Sequence, residues 1–261
     1  MDVQGGVAIV TGSSSGVGAA CARQLAERGC HVVINYSRNE GGARETEAAC
    51  RAYGVDTLVV RADVADDSDC RRMAAEADRK WGRIDALVNN AGTTKFCAHN
   101  NLEGLSKQDF LDIYSVNTVG AYQMTRAVHG AMKRGGRGSI VNVASIAAVM
   151  GVGSSIAYAA SKGAMVTMTL SLARALGPEV RVNAVCPGFI QGEWLREGMG
   201  ADTYERTKKV LEETTPLRLT TTPDTVAEAI LYFVTGADVV TGETLMLDGG
   251  MHLNTAPLGR R

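Results

Sequence analysis

The sequence has almost no excess charge of either sign. It contains 27 lysines and arginines against 28 aspartates and glutamates, which gives a formal net charge of −1 over 261 residues. Such a chain has no broad positive field that would hold nucleic acid or an anionic membrane surface. With 45% hydrophobic residues, it is also too apolar for a disordered chain. We therefore expect a globular protein with no nucleic-acid partner and no membrane partner.

The cysteines lack the spacing of a disulfide framework or a metal site. None belongs to a C-x-x-C pair, and no histidine lies nearby at metal-ligand spacing. The first residues also lack the basic start and apolar core of a secretory signal. We expect no metal, reduced thiols and a cytoplasmic location. The six cysteines are Cys21, Cys30, Cys50, Cys70, Cys97 and Cys186.

A stretch without charge at residues 138–161 is long enough to span a bilayer, but its composition does not favour that interpretation. Asn142 and several serines interrupt it, and such groups are costly in hydrocarbon without partners. The stretch divides instead into a strand, a loop and the start of a helix.

Short β-branched runs alternate with helix-length segments along the whole chain. Several of the runs are continuously apolar, which is typical of strands buried on both faces of a parallel sheet. The alternation predicts a doubly wound α/β fold with a parallel, seven-stranded, Rossmann-like sheet, and we expect one domain over residues 1–261. The predicted strands are Val7–Thr11, His31–Asn35, Thr57–Arg61, Ala86–Asn89, Ile140–Ala144, Arg181–Val185 and Thr244–Leu247. The predicted helices are Gly16–Arg28, Glu40–Tyr53, Ser68–Trp81, Ser106–Lys133, Tyr158–Leu176 and Pro223–Val234.

Residues 189–222 do not follow this alternation. Long segments inside a compact domain are usually binding elements or lids. This one follows the carboxyl end of a predicted strand, where open α/β sheets bind ligands. We therefore expect a helical substrate lid; the alternative is a surface pair of short helices without function.

A glycine-rich turn, Thr11–Gly18, lies between the first strand and the first helix. Its spacing is G-x-x-x-G-x-G rather than the common G-x-G-x-x-G. Glycines allow the backbone to turn sharply and to approach a pyrophosphate at the helix N-terminus. A merely structural turn is the alternative.

Lys162 is the only charged residue between Arg137 and Arg174, and Tyr158 precedes it by one helical turn. An ammonium group favours a nearby phenolate, while desolvation disfavours the ammonium itself, so the pair could be tuned for proton transfer. Ser145 adds a hydroxyl at the end of the fifth strand. A lysine that extends to solvent beside a packed tyrosine is the alternative.

In combination, these motifs resemble the short-chain dehydrogenase/reductase family, most of all its 3-oxoacyl-(acyl-carrier-protein) reductases and related carbonyl reductases, over nearly the whole chain. The matching segments are Thr11–Gly18 (the cofactor loop), Asn89–Gly92 (the NNAG motif), Asn117, the set Ser145, Tyr158 and Lys162, and the turns Pro187–Gly188 and Asp248–Gly250.

The resemblance implies a single dinucleotide-binding oxidoreductase domain that acts on a carbonyl/alcohol pair. Tyr158 would donate a proton to the carbonyl oxygen, and Lys162 would lower the pKa of that tyrosine and hold the nicotinamide ribose. Ser145 would hydrogen-bond the substrate oxygen, and Asn117 would anchor a water that links Lys162 to solvent.

The same resemblance implies the cofactor contacts. Asp63 and Val64 match the family's adenine contact, although Asp63 is also explained as the end of a strand. The threonine that often follows Pro187–Gly188 is missing, so Ile190 would use its backbone on the carboxamide. The expected cofactor-binding residues are Gly12, Ser14, Ser15, Gly16, Val17, Gly18, Asn35, Tyr36, Ser37, Arg38, Asp63, Val64, Asn90, Ala91, Gly92, Tyr158, Lys162, Pro187, Gly188 and Ile190.

The end of the second strand bears on the choice of cofactor. NAD enzymes of this kind place a carboxylate there, and this sequence has Asn35 followed by Tyr36, Ser37 and Arg38. A serine and an arginine suit a 2′-phosphate, which a carboxylate would repel. We therefore expect NADP(H) in preference to NAD(H), even though Ser15 stands where many NADP-preferring relatives have arginine. Arg38 as a plain surface charge is the alternative.

The substrate side is less defined by the sequence. We expect Ser145, Ile146, Phe189 and Trp194 to line the pocket, with further apolar lining from Phe96, His99, Val149, Val152, Leu195 and Met199. The leading hypothesis is an NADPH-dependent reductase of a ketone or a 3-oxoacyl thioester. The alternatives are an NAD-dependent secondary-alcohol dehydrogenase and a non-catalytic dinucleotide-binding sensor or scaffold.

Two kinds of protein partner follow from the resemblance. The basic residues Arg126, Lys133 and Arg134 could bind an acidic acyl carrier protein; the alternative is that they form a solvated helix face. A CoA thioester is the other form in which an acyl substrate could be presented. Apolar and small residues in Ala121–Ala131 and Met165–Leu176 would pack in a homotetramer, unless they are buried against the chain's own sheet.

Overall fold

Seven parallel strands form one sheet at the centre of the computed structural model, which describes residues 1–253. Their order is β3-β2-β1-β4-β5-β6-β7, and every neighbouring pair is parallel. This confirms the predicted doubly wound α/β architecture. The strands are β1 Val7–Val10, β2 His31–Tyr36, β3 Thr57–Arg61, β4 Ala86–Asn89, β5 Gly138–Val143, β6 Val180–Pro187 and β7 Thr244–Leu247.

Ten α-helices connect and flank these strands in the described part of the chain. They are α1 Gly16–Glu27, α2 Glu40–Arg51, α3 Asp67–Trp81, α4 Lys107–Tyr114, α5 Ala121–Arg134, α6 Ala147–Met150, α7 Ile156–Leu176, α8 Glu193–Met199, α9 Ala201–Thr214 and α10 Pro223–Leu231.

The core consists of two apolar layers, one on each face of the sheet. In one layer, α1 and α10 cover the sheet through residues such as Leu25 and Ile230. In the other, α3, α5 and α7 cover it through residues such as Met73, Met124 and Leu172. Because both faces are covered, the central strands β1 and β5 are buried along their whole length. This burial explains the continuously apolar sequence of β1.

The helix predicted at Ser106–Lys133 is not one regular helix. It consists of α4, a wider π-helical turn at Ser115–Gly120, and α5. Such turns inside helices often lie at functional sites. Here the turn contains Asn117, one of the expected catalytic residues.

Strand order reverses between β1 and β4, since the chain moves outward from β1 to β3 and then returns to the other side. In open sheets of this kind, a crevice for ligands opens at the carboxyl ends of the strands at this point. The loops after β1, β4, β5 and β6 all begin at that edge. The helical segment predicted at 189–222 follows β6 and contains α8 and α9.

Some simpler features concern the described residues as a whole. None of the six cysteines is paired. Between residues 1 and 253, no group of three or more metal-binding side chains is gathered for an ion. No helix in that range has both the length and the apolarity that a membrane crossing requires.

Candidate active site

The glycine-rich turn after β1 forms an open cradle. Gly12 and Gly16 have positive φ values of 62° and 52°, a region that L side chains rarely adopt. A Cβ at Gly18 would lie 2.8 Å from Ser13 Cα and 2.6 Å from Asn90 Nδ2, so only glycine fits at that position. Ser15 and Gly16 are exposed at the start of α1. A bare turn of this shape at a helix N-terminus fits a pyrophosphate.

The turn is fixed to β4 by a local hydrogen-bond network. Thr11 Oγ1 accepts from the backbone N–H groups of Asn90 and Ala91, both at 3.0 Å. Asn90 Nδ2 donates back to the carbonyls of Thr11 (2.9 Å) and Gly12 (3.1 Å). The predicted residues Asn90 and Ala91 therefore hold the cofactor loop against the neighbouring strand.

The side chain of Asn35 is buried and hydrogen-bonded within the protein. It is 2% exposed, and its Oδ1 accepts from Gly12 N at 3.0 Å while its Nδ2 donates to Ala62 O at 3.0 Å. Strand β2 continues one residue further than expected, so Tyr36 is its last residue. The Asn35 amide thus connects the glycine-rich turn after β1 to the end of β3 and stabilises that turn.

The other predicted cofactor residues of this region are the last residue of β2 and the two that follow it. Tyr36 is 8% exposed, and Ser37 and Arg38 are exposed. Neither of the latter two makes a side-chain hydrogen bond or an ion pair within residues 1–253. The nearest carboxylate along the chain, Glu40, pairs with Arg44 at 3.3 Å. Ser37 and Arg38 are therefore free to meet a cofactor group.

Asp63 and Val64 lie just after β3, as predicted. Asp63 is exposed, and its Oδ1 accepts from Ala65 N at 3.0 Å, which orders the turn. Val64 is buried, and its carbonyl accepts from Gln123 Nε2 at 2.7 Å. The Asp63 carboxylate is thus exposed after β3, whereas the Val64 side chain lies in the core.

Lys162 is buried on α7 at the carboxyl edge of β5. It is 3% exposed, and its Nζ donates to the carbonyl of Val143 at 2.7 Å. Desolvation lowers the pKa of Lys162 to about 8. A Cβ placed on Gly92 would lie 3.7 Å from this Nζ, which shows how closely the loop after β4 approaches the ammonium group.

Tyr158 lies one turn before Lys162 on the same side of α7, with Lys162 Nζ 5.8 Å from the centre of its ring. Desolvation raises the pKa of Tyr158 to about 12, and a hydrogen bond with the Ser145 side chain opposes that rise. Ser145 Oγ also accepts from Ala147 N at 3.1 Å, which fixes the hydroxyl at the end of β5. The three predicted side chains therefore converge.

Asn117 is fully buried in the π-helical turn. Its Oδ1 accepts from Thr93 N at 2.8 Å, and its Nδ2 donates to Thr93 O and to Ser161 Oγ, both at 3.0 Å. Ser161 Oγ in turn donates to the carbonyl of Tyr158 at 2.7 Å. The side chain of Asn117 thus joins the loop after β4 to the helix that holds Tyr158 and Lys162.

The turn after β6 is packed against the end of β7. A Cβ on Gly188 would lie 2.8 Å from Asp248 Cβ, so glycine is required there. Pro187 is buried, and its carbonyl accepts from Ile146 N at 3.0 Å. Ile190 forms an isolated parallel bridge with Thr221, which joins the two ends of the 189–222 segment.

Aromatic side chains cover the open side of Tyr158. The ring of Trp194 lies 6.5 Å from the ring of Tyr158 and 5.9 Å from the ring of Phe96. Phe189, also expected in the pocket, packs on Tyr204 of α9 at 5.1 Å. Ile146 is buried beside Gly188. Of the expected pocket residues, Trp194 contacts Tyr158 directly, and Phe96 contacts Trp194.

Sequence reasoning missed several residues that shape this site. Ser161 immediately precedes Lys162 and accepts from Asn117 Nδ2. Gly42 lies so close to the glycine-rich turn that a Cβ there would collide with the Ser14 carbonyl. Cys186, for which the sequence predicts only a reduced thiol, is buried near Lys162 and Tyr158. Only the proximity of distant segments reveals these roles.

The chain matches known proteins over almost its full length. The family model described as Enoyl-(Acyl carrier protein) reductase matches residues 12–252. The chain is 43% identical over 247 residues to the protein named ketoacyl reductase 2 of the granaticin polyketide synthase from Streptomyces violaceoruber, which covers 95% of this chain and 96% of that one. It is 32% identical over 248 residues to the 3-oxoacyl-(acyl-carrier-protein) reductase FabG of Staphylococcus epidermidis, which covers 94% and 98%.

Solved structures agree with the fold. A crystal structure described as a short-chain dehydrogenase/reductase from Burkholderia xenovorans has a TM-score of 0.89 at 38% identity and covers 95% of this chain and 98% of that chain. The structure of NAD+-bound xylitol dehydrogenase has a TM-score of 0.88 at 27% identity and covers 96% and 100%.

Proposed function

The chain belongs to the short-chain dehydrogenase/reductase family and is an NAD(P)-dependent oxidoreductase, and on that premise we propose that it reduces a ketone or a 3-oxoacyl thioester to the alcohol with NADPH. The observation that carries this proposal is the convergence of Ser145, Tyr158 and Lys162 at the carboxyl edge of β5.

Tyr158 is the proton donor in this proposal. Its raised pKa keeps the hydroxyl protonated near neutral pH, which suits a group that must give a proton to a carbonyl oxygen as negative charge develops there. Ser145 provides a second hydrogen bond to the same oxygen. Bound NADPH would supply the hydride.

Lys162 acts on Tyr158 through its charge. An ammonium group near the ring stabilises the phenolate that remains after proton transfer. The carbonyl of Val143 holds Nζ in place at 2.7 Å and leaves its other donors for the cofactor ribose. The glycine cradle at Gly12–Gly18 would hold the pyrophosphate.

The preference for NADPH rests on Ser37 and Arg38. Both are exposed at the end of β2, and no carboxylate occupies residues 35–38. An arginine and a hydroxyl together suit a 2′-phosphate through charge-assisted hydrogen bonds. Because Asn35 serves the loop, Tyr36 takes its place in this proposal as the last strand residue beside the adenosine ribose.

The second candidate is an NAD-dependent secondary-alcohol dehydrogenase, which the similarity to NAD+-bound xylitol dehydrogenase supports. Initial rates with NADPH and NADH decide between the two, using a panel of ketones, quinones and 3-oxoacyl thioesters, with secondary alcohols and NAD+ for the reverse direction. A clear preference for NADH overturns the NADPH proposal, and the absence of turnover with every carbonyl overturns the reductase proposal.

Whether the thioester is presented by an acyl carrier protein is a separate matter. The name of the FabG relative supports such a partner. However, two of the three basic residues expected to meet it are ion-paired within the chain, Arg126 with Asp67 and Arg134 with Asp78. A free ketone or a CoA thioester therefore stays equally open as the substrate.

We also propose that the enzyme is a homotetramer. In the two segments expected at the interface, residues such as Met124 and Leu172 are buried against the chain's own sheet. Tyr122 and Leu170 are 45% and 42% exposed, and they support a contact with a second copy.

A further inference from the structure

The aromatic residues around Tyr158 come from three different elements. Phe96 lies in the loop after β4, Tyr158 on α7 and Trp194 on α8, and the Trp194 ring is tilted by 55° to Phe96 and by 46° to Tyr158. Such tilted pairs with centroids 4.5–7 Å apart are a favourable geometry for aromatic rings. The three rings thus form one continuous surface beside the candidate catalytic hydroxyl.

Helix α8 packs closely against the Phe96 ring at Gly198. A Cβ at Gly198 would collide with the Phe96 ring, so α8 approaches that ring only because this residue is glycine. Trp194 and Gly198 are four residues apart and therefore lie on the same face of α8. Phe96 consequently packs against this face at both Trp194 and Gly198, and Trp194 contacts Tyr158 as well.

Helix α8 is held at its start as well. Gly192 N donates to the Tyr204 hydroxyl at 3.1 Å, and Tyr204 is buried on α9. Arg196 of α8 pairs with Glu205 of α9 at 3.2 Å. These contacts fix the lid segment that carries Trp194 relative to α9.

Trp194 is nevertheless 51% exposed, an unusual exposure for a tryptophan within ring contact of a candidate catalytic residue. The cations nearest Phe96 and Trp194 in sequence are paired with carboxylates, Lys95 with Asp109 and Arg196 with Glu205. Beside Tyr158, the Lys162 ammonium group donates to the Val143 carbonyl. The exposed face of Trp194 is therefore aromatic, and the cations beside Trp194 and Phe96 in sequence already have carboxylate partners, which favours a neutral ring there over a carboxylate or phosphate.

We propose that Phe96 and Trp194 form an aromatic wall that selects neutral carbonyl substrates with a flat conjugated ring next to the carbonyl group. The ring of the substrate stacks on Trp194 while its oxygen meets Tyr158 and Ser145. Trp194 is thus a specificity-determining residue. This inference rests on the proposed reductase function.

The test compares two ketones of the same size, acetophenone and cyclohexyl methyl ketone, which differ in whether the ring is flat and conjugated. In the Trp194→Leu variant, kcat/KM should fall at least about tenfold for acetophenone and less than about threefold for cyclohexyl methyl ketone. Trp194→Phe should restore most of the loss because it keeps an aromatic face. Glu197→Ala, an exposed position on the same helix, serves as the matched control and should change neither value.

Equal losses for both ketones in Trp194→Leu, or no loss for either, would overturn the aromatic wall. Phe96→Leu provides a second variant and should lower the acetophenone value in the same selective manner. If the wild-type enzyme reduces no carbonyl at all, the proposed function fails, and the wall is then decided by binding.

For the binding measurement, Trp81→Phe leaves Trp194 as the only tryptophan, since the sequence contains two. Trp81 stacks on His31 at 5.8 Å, at a distance from the site. With NADP+ present, acetophenone should quench Trp194 fluorescence saturably at lower concentration than cyclohexyl methyl ketone does. Equal affinities, or no saturable quenching, would overturn the wall independently of turnover.

Discussion

Lys162 Nζ lies 5.8 Å from the centre of the Tyr158 ring, with both side chains on one face of α7 and the ammonium group bonded to the carbonyl of Val143. The four-residue spacing brings the two groups together. The strand carbonyl then fixes the ammonium at the crevice edge, where a helix alone would leave it free to turn away. The relationship is therefore a joint product of α7 and β5.

Replacing Tyr158 with phenylalanine should abolish carbonyl reduction without abolishing cofactor binding. The ring remains, so packing is preserved, but the proton donor is lost, and general acid catalysis typically contributes about 10²–10⁴-fold to the rate. Steady-state kinetics should show a loss of that size, while a fluorescence titration with NADPH should give nearly the wild-type Kd. Undiminished turnover would remove Tyr158 from the mechanism.

The activity should decline above about pH 8 through Lys162. Burial lowers the pKa of Lys162 to about 8, so its charge is present below that pH and is lost above it, whereas Tyr158 with a pKa of about 12 stays protonated throughout. The pH profile of kcat/KM for NADPH reports groups of the free enzyme. It should be level below about pH 8 and should fall above it.

Lys162→Arg is the matched variant for this profile. Arginine stays charged in proteins, so the alkaline decline should move to higher pH even if the plateau is lower. An unchanged alkaline decline in Lys162→Arg would show that another group controls it.

Arg38→Ala should weaken NADPH much more than NADH. A hydrogen bond to a charged group contributes about 1.5–3 kcal/mol, which corresponds to about 10–150-fold in kcat/KM for the cofactor with the 2′-phosphate. Arg44→Ala is the control, because Arg44 is another exposed arginine nearby but is paired with Glu40 and Glu47. Equal effects of Arg38→Ala on the two cofactors would indicate a plain surface charge.

Much of the fold follows from the sequence, because the strands of this sheet are short β-branched or apolar runs and the segments between them have the length of helices. The ends of the elements are less well determined. The run His31–Tyr36 contains no residue that marks the end of a strand, and the strand extends one residue beyond the predicted end at Asn35. The hydrogen bond between the Asn35 side chain and Gly12 N joins distant segments, and the sequence pattern does not indicate it. The π-helical turn at Asn117 is likewise invisible to a helical period.

The candidate site shows the same division. Tyr158 and Lys162 could be paired from local spacing, because four residues in a helix bring two side chains together. The contact between Phe96 and Gly198 joins segments that lie far apart in the chain, and no local pattern encodes it. Spacing therefore predicts the pair on α7. The sequence also places Phe96 and Trp194 in the pocket, but only tertiary packing shows that their rings contact each other.

The oligomeric state can be tested through the exposed apolar residues of α5 and α7. Light scattering during size-exclusion chromatography should give about four times the chain mass of 27.5 kDa. Tyr122→Glu together with Leu170→Glu should dissociate the assembly, because charged groups are costly in an apolar interface. Leu102→Glu, which alters a 72% exposed leucine outside these helices, is the control. A monomer peak for the wild-type chain at micromolar concentration would contradict the tetramer.

Two glycine-to-alanine substitutions separate the role of the cofactor turn from general helix stability. At Gly18, the added Cβ would approach Ser13 Cα to 2.8 Å, and overpacking of this kind costs about 1–3 kcal/mol of the free energy of unfolding. At Gly130, an exposed position of α5, the nearest atom is the end of Arg134 at 3.9 Å, and alanine should stabilise the helix by about 0.5–1 kcal/mol.

Thermal unfolding should therefore move in opposite directions for the two variants, downward for Gly18→Ala and upward for Gly130→Ala. The Kd for NADPH separates the two positions further. It should rise for Gly18→Ala alone, because the displaced turn opens the contact with the pyrophosphate, whereas α5 lies outside the cradle. If Gly18→Ala binds NADPH with the wild-type Kd while its unfolding temperature falls, the turn supports the sheet and does not hold the cofactor.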